Sequence, residues 1–230
     1  RIALQINFYP KIFVDTFPNA WQKENINFLG ININKNNNSD LTLINDGWIN
    51  SLNFNEFKKI NQNDLLDKLD QKSINFLNTF KEYQRVRIFP IGVVPYAIVV
   101  KNNIDLINKA SKSWDFLLSK KLTKKIIFPQ SARVNLSIAE KINTSNSLFK
   151  LKNQAMLFDD RNALNWLINS EACVAILPYS ICLKYLKFDS RLSVVFPDQG
   201  VPLMWHFVLR RSDRSRGCLL YTSPSPRDSC

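Results

Sequence analysis

The chain has 230 residues, 45% of them hydrophobic, enough for one large or two small domains with a packed core and too apolar for a disordered segment. Lys and Arg outnumber Asp and Glu by 31 to 19, and the single histidine excludes His-rich metal sites and any catalysis that needs two imidazoles. The net charge is +12, but Lys11, Lys23, Lys58, Lys59, Lys72, Lys81 and Lys101 are scattered and not interleaved with aromatics, a pattern against nucleic-acid binding.

Taken in chain order, Ile12-Phe13-Val14 reads as a short strand, Trp21 packs beneath a turn opened by Pro18, and 26–33 alternates as a second strand before the polar turn 34–38. Leu41–Ile44 is a third, buried strand, and Asp46 is placed to cap the turn that holds Trp48, Ile49 and Leu52. Leu65, Leu66, Leu69, Phe76, Leu77 and Phe80 fall at near-helical spacing and predict one long helix from Asn63 or Asp64 to about Glu82. Val86–Phe89 and Val93–Val100 read as two strands split by Pro90 and Gly92, the second apolar on both faces as in the middle of an α/β sheet.

Helices follow at Ile104–Ala110 and Ser113–Lys120, the second capped by Ser113, then a strand at Lys125–Phe128 and a helix at Ser131–Lys141. Helices are expected at Ser147–Phe158 and Asp160–Asn169, with Asp159-Asp160 as an N-cap pair. Strands at Ala172–Leu177, Leu192–Phe196 and Leu203–Leu209 bracket a helix at Pro178–Leu186. Strands alternating with helices imply an α/β fold with a largely parallel sheet. No uninterrupted apolar run approaches the roughly 18–20 residues of a membrane span. Cys173 and Cys182 sit in apolar contexts and read as buried free thiols, with a disulfide open to them in an oxidising compartment. No cofactor motif or metal spacing is present.

The two ends read as cut. The chain begins at Arg1, and Cys218–Asp228 matches, over eleven residues, the in-frame translation of a transposon-type sequencing adapter. The run 210–216 contributes four Arg and one Asp to the net charge, leaving about +9 on the body.

Three of the five glycines lie in segments where an apolar strand meets a tight loop carrying a proline or an aromatic: Gly47 beside Trp48, Gly92 between Pro90 and Pro95-Tyr96, and Gly200 between Pro197 and Pro202. Singly these are ordinary turns. Together they read as rigid strands ending in loops that present rings to a ligand. In sheets of this kind ligands bind beyond the carboxyl ends of strands, where helix N-termini offer unpaired N–H groups. Four junctions of that type are readable: 45–48, 129–133, 178–180 and the 200–205 crossover. They nominate Asp46, Trp48, Tyr96, Ser131, Arg133, Tyr179, Ser180 and Trp205 as ligand-binding residues, with no catalytic and no metal-binding residue. Trp114 and Trp166, on helices, read as core. Asp46 is the only acid at the four junctions.

The order of segments resembles the extracellular solute-binding proteins of ABC importers, in particular the spermidine/putrescine-binding group. The resemblance covers about 39–209 and rests on Ser39-Asp40-Leu41, Asp46-Gly47-Trp48, Val94-Pro95-Tyr96, Ser113-Trp114-Asp115-Phe116-Leu117, Lys125–Pro129, Ile176–Ser180 and Pro197–Gly200 with Trp205. It implies a two-lobed, periplasmic-binding-protein-like (type II) fold with mixed, largely parallel sheets. Lobe I would be 1–92, lobe II 93–200, a return strand 201–210 would rejoin lobe I, and 211–230 would be a non-native tail. It further implies a monomer that captures a polyamine or another small polar solute in an interlobe cleft. Permease subunits would be its partners, and it would work in the periplasm or outside the cell, lipid-anchored or secreted. The family's polyamine pattern has an acidic pair in the loop after the Lys-Ile strand, a Glu further on and an Asp two residues after the final Trp. Gln130, Ser131, Val134 and Phe207 stand at those places here, which points away from a polyamine and toward a small polar solute stacked between Trp48 and Trp205 with Ser131 and Arg133 as donors. Two rival readings are the effector domain of a transcription regulator, which shares this topology, and an enzyme on the same fold. The enzyme would need a nucleophile with a base or paired carboxylates.

Overall fold

The computed structural model describes residues 2–4, 23–25, 40–60, 63–160, 162–186 and 189–211. The strands expected at 12–14 and 26–33, the turn under Trp21 and the adapter-like segment 218–228 lie outside them. The chain divides into two compact units, Arg1–Val93 with Trp205–Cys230, and Val94–Met204.

The second unit is built on strands whose two faces are both covered. Strand β4 (Phe89–Lys101) enters it at Val94 and is buried throughout Tyr96–Val100. Tyr96, Ile98 and Val100 face one apolar cluster; Ala97 and Val99 face another. The same alternation runs through β5 (Ile126–Phe128) and β7 (Val174–Pro178): Ile126, Phe128, Val174 and Ile176 on one side, Ile127, Ala175 and Leu177 on the other. A period of two that is apolar on both phases requires a helix layer on each face. Helices α4 (Ile104–Lys112), α5 (Ala132–Lys141) and α6 (Ser147–Gln154) supply the first with Leu106, Val134, Ile138 and Leu151. Helices α7 (Ala163–Asn169) and α8 (Tyr179–Leu186) supply the second with Leu164, Leu167 and Cys182. Each fully buried aliphatic side chain in these layers contributes roughly 1.5–3 kcal/mol. Strands β5, β6 (Ala155–Phe158) and β7 are parallel, while β7 and β8 (Leu192–Val195) pair antiparallel with β4.

Trp114 is completely buried in the first layer. Its indole N–H donates to the carbonyl of Gly200 at 2.9 Å, its backbone N–H donates to Gln199 Oε1 at 2.8 Å, and Lys141 Nζ donates to the carbonyl of Gln199 at 2.9 Å. Gly200 has φ +79, a left-handed conformation that explains the glycine. The 197–202 loop is therefore sewn onto the helices by its backbone and the Gln199 side chain, and displays no aromatic ring of its own.

In the first unit, β1 (Ile2–Leu4) is parallel to β2 (Lys23–Asn25) and to β3 (Leu41–Asn45), and β3 pairs antiparallel with β9 (Leu203–Arg210). Ile44, Ile49, Phe54, Phe57, Leu77, Ile88, Phe207 and Leu209 form its core. Arg211 closes the sheet end, bridged in strand fashion to Phe57 and ion-paired to Glu56 at 3.1 Å.

Several expectations are corrected. The long helix over 63–82 is three short ones, α1 (Asn63–Leu66), α2 (Gln71–Leu77) and α3 (Glu82–Arg85). Asp70 starts a new helix by accepting the N–H of Ser73 at 2.7 Å, so apolar spacing continues across a break that a cap creates. The two strands around Pro90 and Gly92 are one continuous strand. Its ladders with β7 and β8 run over 96–101, so neither proline falls where those two partners require an N–H. The helix expected over 147–158 ends at Gln154 and the chain turns into β6, because Ala155–Phe158 adds to the edge of β5. Trp114 is core as expected, but Trp166 is exposed on α7, its indole N–H donating to Asp159 Oδ2 at 3.2 Å. Cys173 and Cys182 are free thiols. Burial pushes the Cys182 thiol up to about 12, which leaves it protonated and inert. Among the described residues no helix is long and apolar enough to cross a membrane, and no cluster of metal-ligating side chains occurs.

Candidate functional site

The nominated residues fall into two sets, one at the strand ends of each unit. In the first unit, β3 ends at Asn45, which stands opposite His206 of β9. Asp46, Gly47 and Trp48 follow directly in a 3-10 turn (Asp46–Ser51), and Trp205 precedes His206, so Asp46, Trp48 and Trp205 share one edge. The cap of this turn is Asn45, not Asp46: its Oδ1 accepts the N–H of Gly47 at 3.1 Å. A Cβ on residue 47 would itself approach that oxygen to 3.1 Å, a close fit that favours glycine. Asp46 is thereby released from capping and remains half-buried at the edge. Trp48 and Trp205 are both half-buried against the unit's core. Trp205 stacks on Phe76 at 4.4 Å between centroids and 15° between planes, and Phe76 stacks in turn near Phe207 at 6.1 Å. One face of the Trp205 ring is thus occupied by the protein. His206 is buried, and desolvation lowers its pKa to about 4, so it is neutral at physiological pH.

In the second unit, the parallel strands β5, β6 and β7 all deliver their carboxyl ends to one edge. Ser131 occupies the N-cap position of α5 without a side-chain cap bond, Arg133 is exposed in its first turn, and Ser180 lies in the first turn of α8 with its hydroxyl oxygen buried and without a hydrogen-bond partner among the described residues. Tyr179 is half-buried, its ring edge-on to Phe196 at 5.3 Å. Tyr96 stands opposite Pro178 but only 4% of it is exposed, and its hydroxyl reaches Met204 Sδ at 4.0 Å. It is a core residue, and its expected place on a ligand wall is corrected.

Sequence reasoning missed three residues at this edge. Asp160 Oδ2 accepts the backbone N–H of Gln130 at 3.1 Å, fastening the loop after β6 to the loop after β5. Asn135, buried on α5, donates its amide to the carbonyl of Pro129 at 2.8 Å. Asp159 divides its carboxylate between the N–H of Asn162 at 3.0 Å and the indole of Trp166. The end of β6 is thus a further junction, outside the four read from the sequence, and it carries two acids. With 155–158 taken as helix, Asp159 and Asp160 are mid-chain caps; with it a parallel strand, they become strand-end residues beside Gln130. The β-branch-poor run Ala-Met-Leu-Phe gives little strand signal; the pair Asp159-Asp160 behind it is the usable one.

No protein-family model matches the chain, and no curated protein matches it in sequence. Solved structures do match. An ABC transporter from Clostridium perfringens aligns over 80% of this chain and 62% of its own, with a TM-score of 0.61 and 16% identity. The spermidine/putrescine ABC transporter substrate-binding protein of Streptococcus pneumoniae aligns over 75% and 57%, with a TM-score of 0.56 and 14% identity. A ferric binding protein from Campylobacter jejuni aligns over 76% and 61%, with a TM-score of 0.55 and 14% identity. The chain has the type II periplasmic-binding-protein fold, with mixed parallel and antiparallel strand pairing. It spans about six tenths of the length of these structures.

Proposed function

We propose that this chain is the solute-capturing component of an ABC-type importer, a non-enzymatic monomer that works outside the cytoplasmic membrane, lipid-anchored or secreted, and delivers to permease subunits. The fold supports this reading, because the structures it resembles include the substrate-binding protein of such a transporter. The strand-end loops of each unit carry the recognition chemistry. Asp46, Trp48 and Trp205 act from the first unit, and Ser131, Arg133, Tyr179 and Ser180 from the second. Rings supply apolar faces, while hydroxyls, a guanidinium and helix N-terminal N–H groups supply donors.

The solute is small and polar rather than a polyamine. Each ammonium of a polyamine that is desolvated without an anion costs several kcal/mol. Asp159 and Asp160 accept hydrogen bonds from Asn162, Trp166 and Gln130, and Asp46 is the one acid among the nominated residues. Calorimetry of the chain against spermidine, putrescine and a panel of amino acids, small sugars and small carboxylates tests this. The expected result is micromolar affinity for a non-polyamine solute, weakened about tenfold or more in Arg133→Ala, the loss of one charge-assisted contact. Micromolar spermidine affinity abolished by Asp46→Ala would overturn the ligand class and keep the importer role. Turnover of any bound solute would overturn the role itself.

A further inference from the structure

The second unit carries an apolar hollow that the strand-end loops do not use. It has a volume of about 450 Å³ and lies against α5, α6 and the edge strand β6. Phe149 is 67% exposed, Leu136 47%, Phe158 45% and Leu148 44%, a cluster of large apolar side chains of the kind that marks interaction sites. Phe128 and Phe158 tilt against each other at 6.0 Å on its inner side. The polar side chains lining it are Asn135, whose amide nitrogen is spent on Pro129, and Lys152. Lys152 is exposed in the last turn of α6, and among the described residues its ammonium makes no hydrogen bond or ion pair, while no acid lines the hollow.

We infer that this hollow binds a small amphipathic monocarboxylate, an aryl-substituted or medium-chain alkanoic acid, with its apolar body against Phe128, Phe158, Leu136 and Leu148 and its carboxylate on Lys152. The volume lies in the range of small-molecule pockets. A single cation at the rim of an apolar cavity selects one negative charge at one end of the ligand, and the basic body of the chain favours an anion's approach. A second copy of the chain is a poorer occupant, since a stable protein interface needs a broad surface of both polar and apolar groups. The proposal stands apart from the importer reading and does not depend on it.

The test is calorimetry of the whole chain with octanoate and phenylacetate, against octanol and octylamine as the neutral and cationic counterparts. The carboxylates are expected to bind, with octylamine at least about tenfold weaker, since it puts like charge beside Lys152. Lys152→Gln should weaken octanoate about threefold to fivefold, the worth of one exposed ion pair, and leave octanol unchanged. Ala132→Phe, at an exposed position on the rim, should fill the hollow and abolish binding of octanoate and octanol while circular dichroism and melting stay those of the parent. Absence of carboxylate binding, equal affinity for octylamine, or a concentration-dependent dimer that Ala132→Phe dissolves would each overturn the proposal.

Discussion

The two units end their strands in different chemistry. The edge of the first is aromatic: Phe76 stacks on both Trp205 and Phe207, and Trp48 leans on the same core. The edge of the second is polar: Gln130 and Asp160 are tied loop to loop by a hydrogen bond, and Asn135 and Asp159 hold their own loops with local ones. Position at a strand end therefore does not decide what a residue is for. In the first unit the rings are held by packing, which fixes them but uses up a face. In the second the loops are held by directional bonds, which fix the backbone and leave Ser131, Arg133 and Ser180 at its edge.

Three measurements sharpen or break that contrast. The largest effect is expected from pH. His206 is the chain's sole histidine and sits on the aromatic edge with its pKa lowered to about 4. The unfolded chain binds this proton near pH 6.5 and the folded chain resists it until about 4, so stability is full above 6.5 and is lost as pH falls through that window. Between pH 7 and 5 the loss is about 2 kcal/mol, approaching about 3 near pH 4. Denaturant titrations at several pH values read the slope, and His206→Gln should flatten it; a slope that survives the substitution places the titrating group elsewhere.

Next is Phe76→Ala, which removes the ring stacked on Trp205 and Phe207. A half-buried phenylalanine with two stacked partners should cost about 2 kcal/mol on truncation. A loss below about 0.5 kcal/mol, within the ordinary range for surface changes, would mean that the stack does not hold Trp205. The smallest is Asp160→Asn, which keeps an acceptor for the Gln130 N–H but removes its charge, at an expected cost of about 1 kcal/mol. Faster amide exchange at Gln130 should accompany it. Unchanged exchange would show that the loop is held by something other than this carboxylate.

Much of the second unit was legible. The run Val93–Val100 is apolar on both phases, and its Tyr96–Val100 part is buried on both faces, as that pattern requires. Ser113 caps where a serine before a helical turn should, accepting the N–H of Asp115 at 3.0 Å. The break in 63–82 was not legible, because Leu66, Leu69 and Phe76 keep helical spacing across it and all three still pack on one core. Periodicity reports which face is buried and is silent on where a cap interrupts the backbone.

The sequence by itself determined the α/β alternation, the doubly buried strands and the strand-end position of Asp46, Trp48, Ser131, Ser180 and Trp205, because those follow from local pattern and from cap and turn chemistry. Only the tertiary structure decided that Ala155–Phe158 is a strand, that Asp160 reaches Gln130, that Tyr96 points into the core and that Trp205 lies on Phe76. Each of these depends on a partner distant in sequence or on which side of a strand faces the helices. A short apolar run takes its conformation from the edge it can join, and a ring takes its role from the surface it meets.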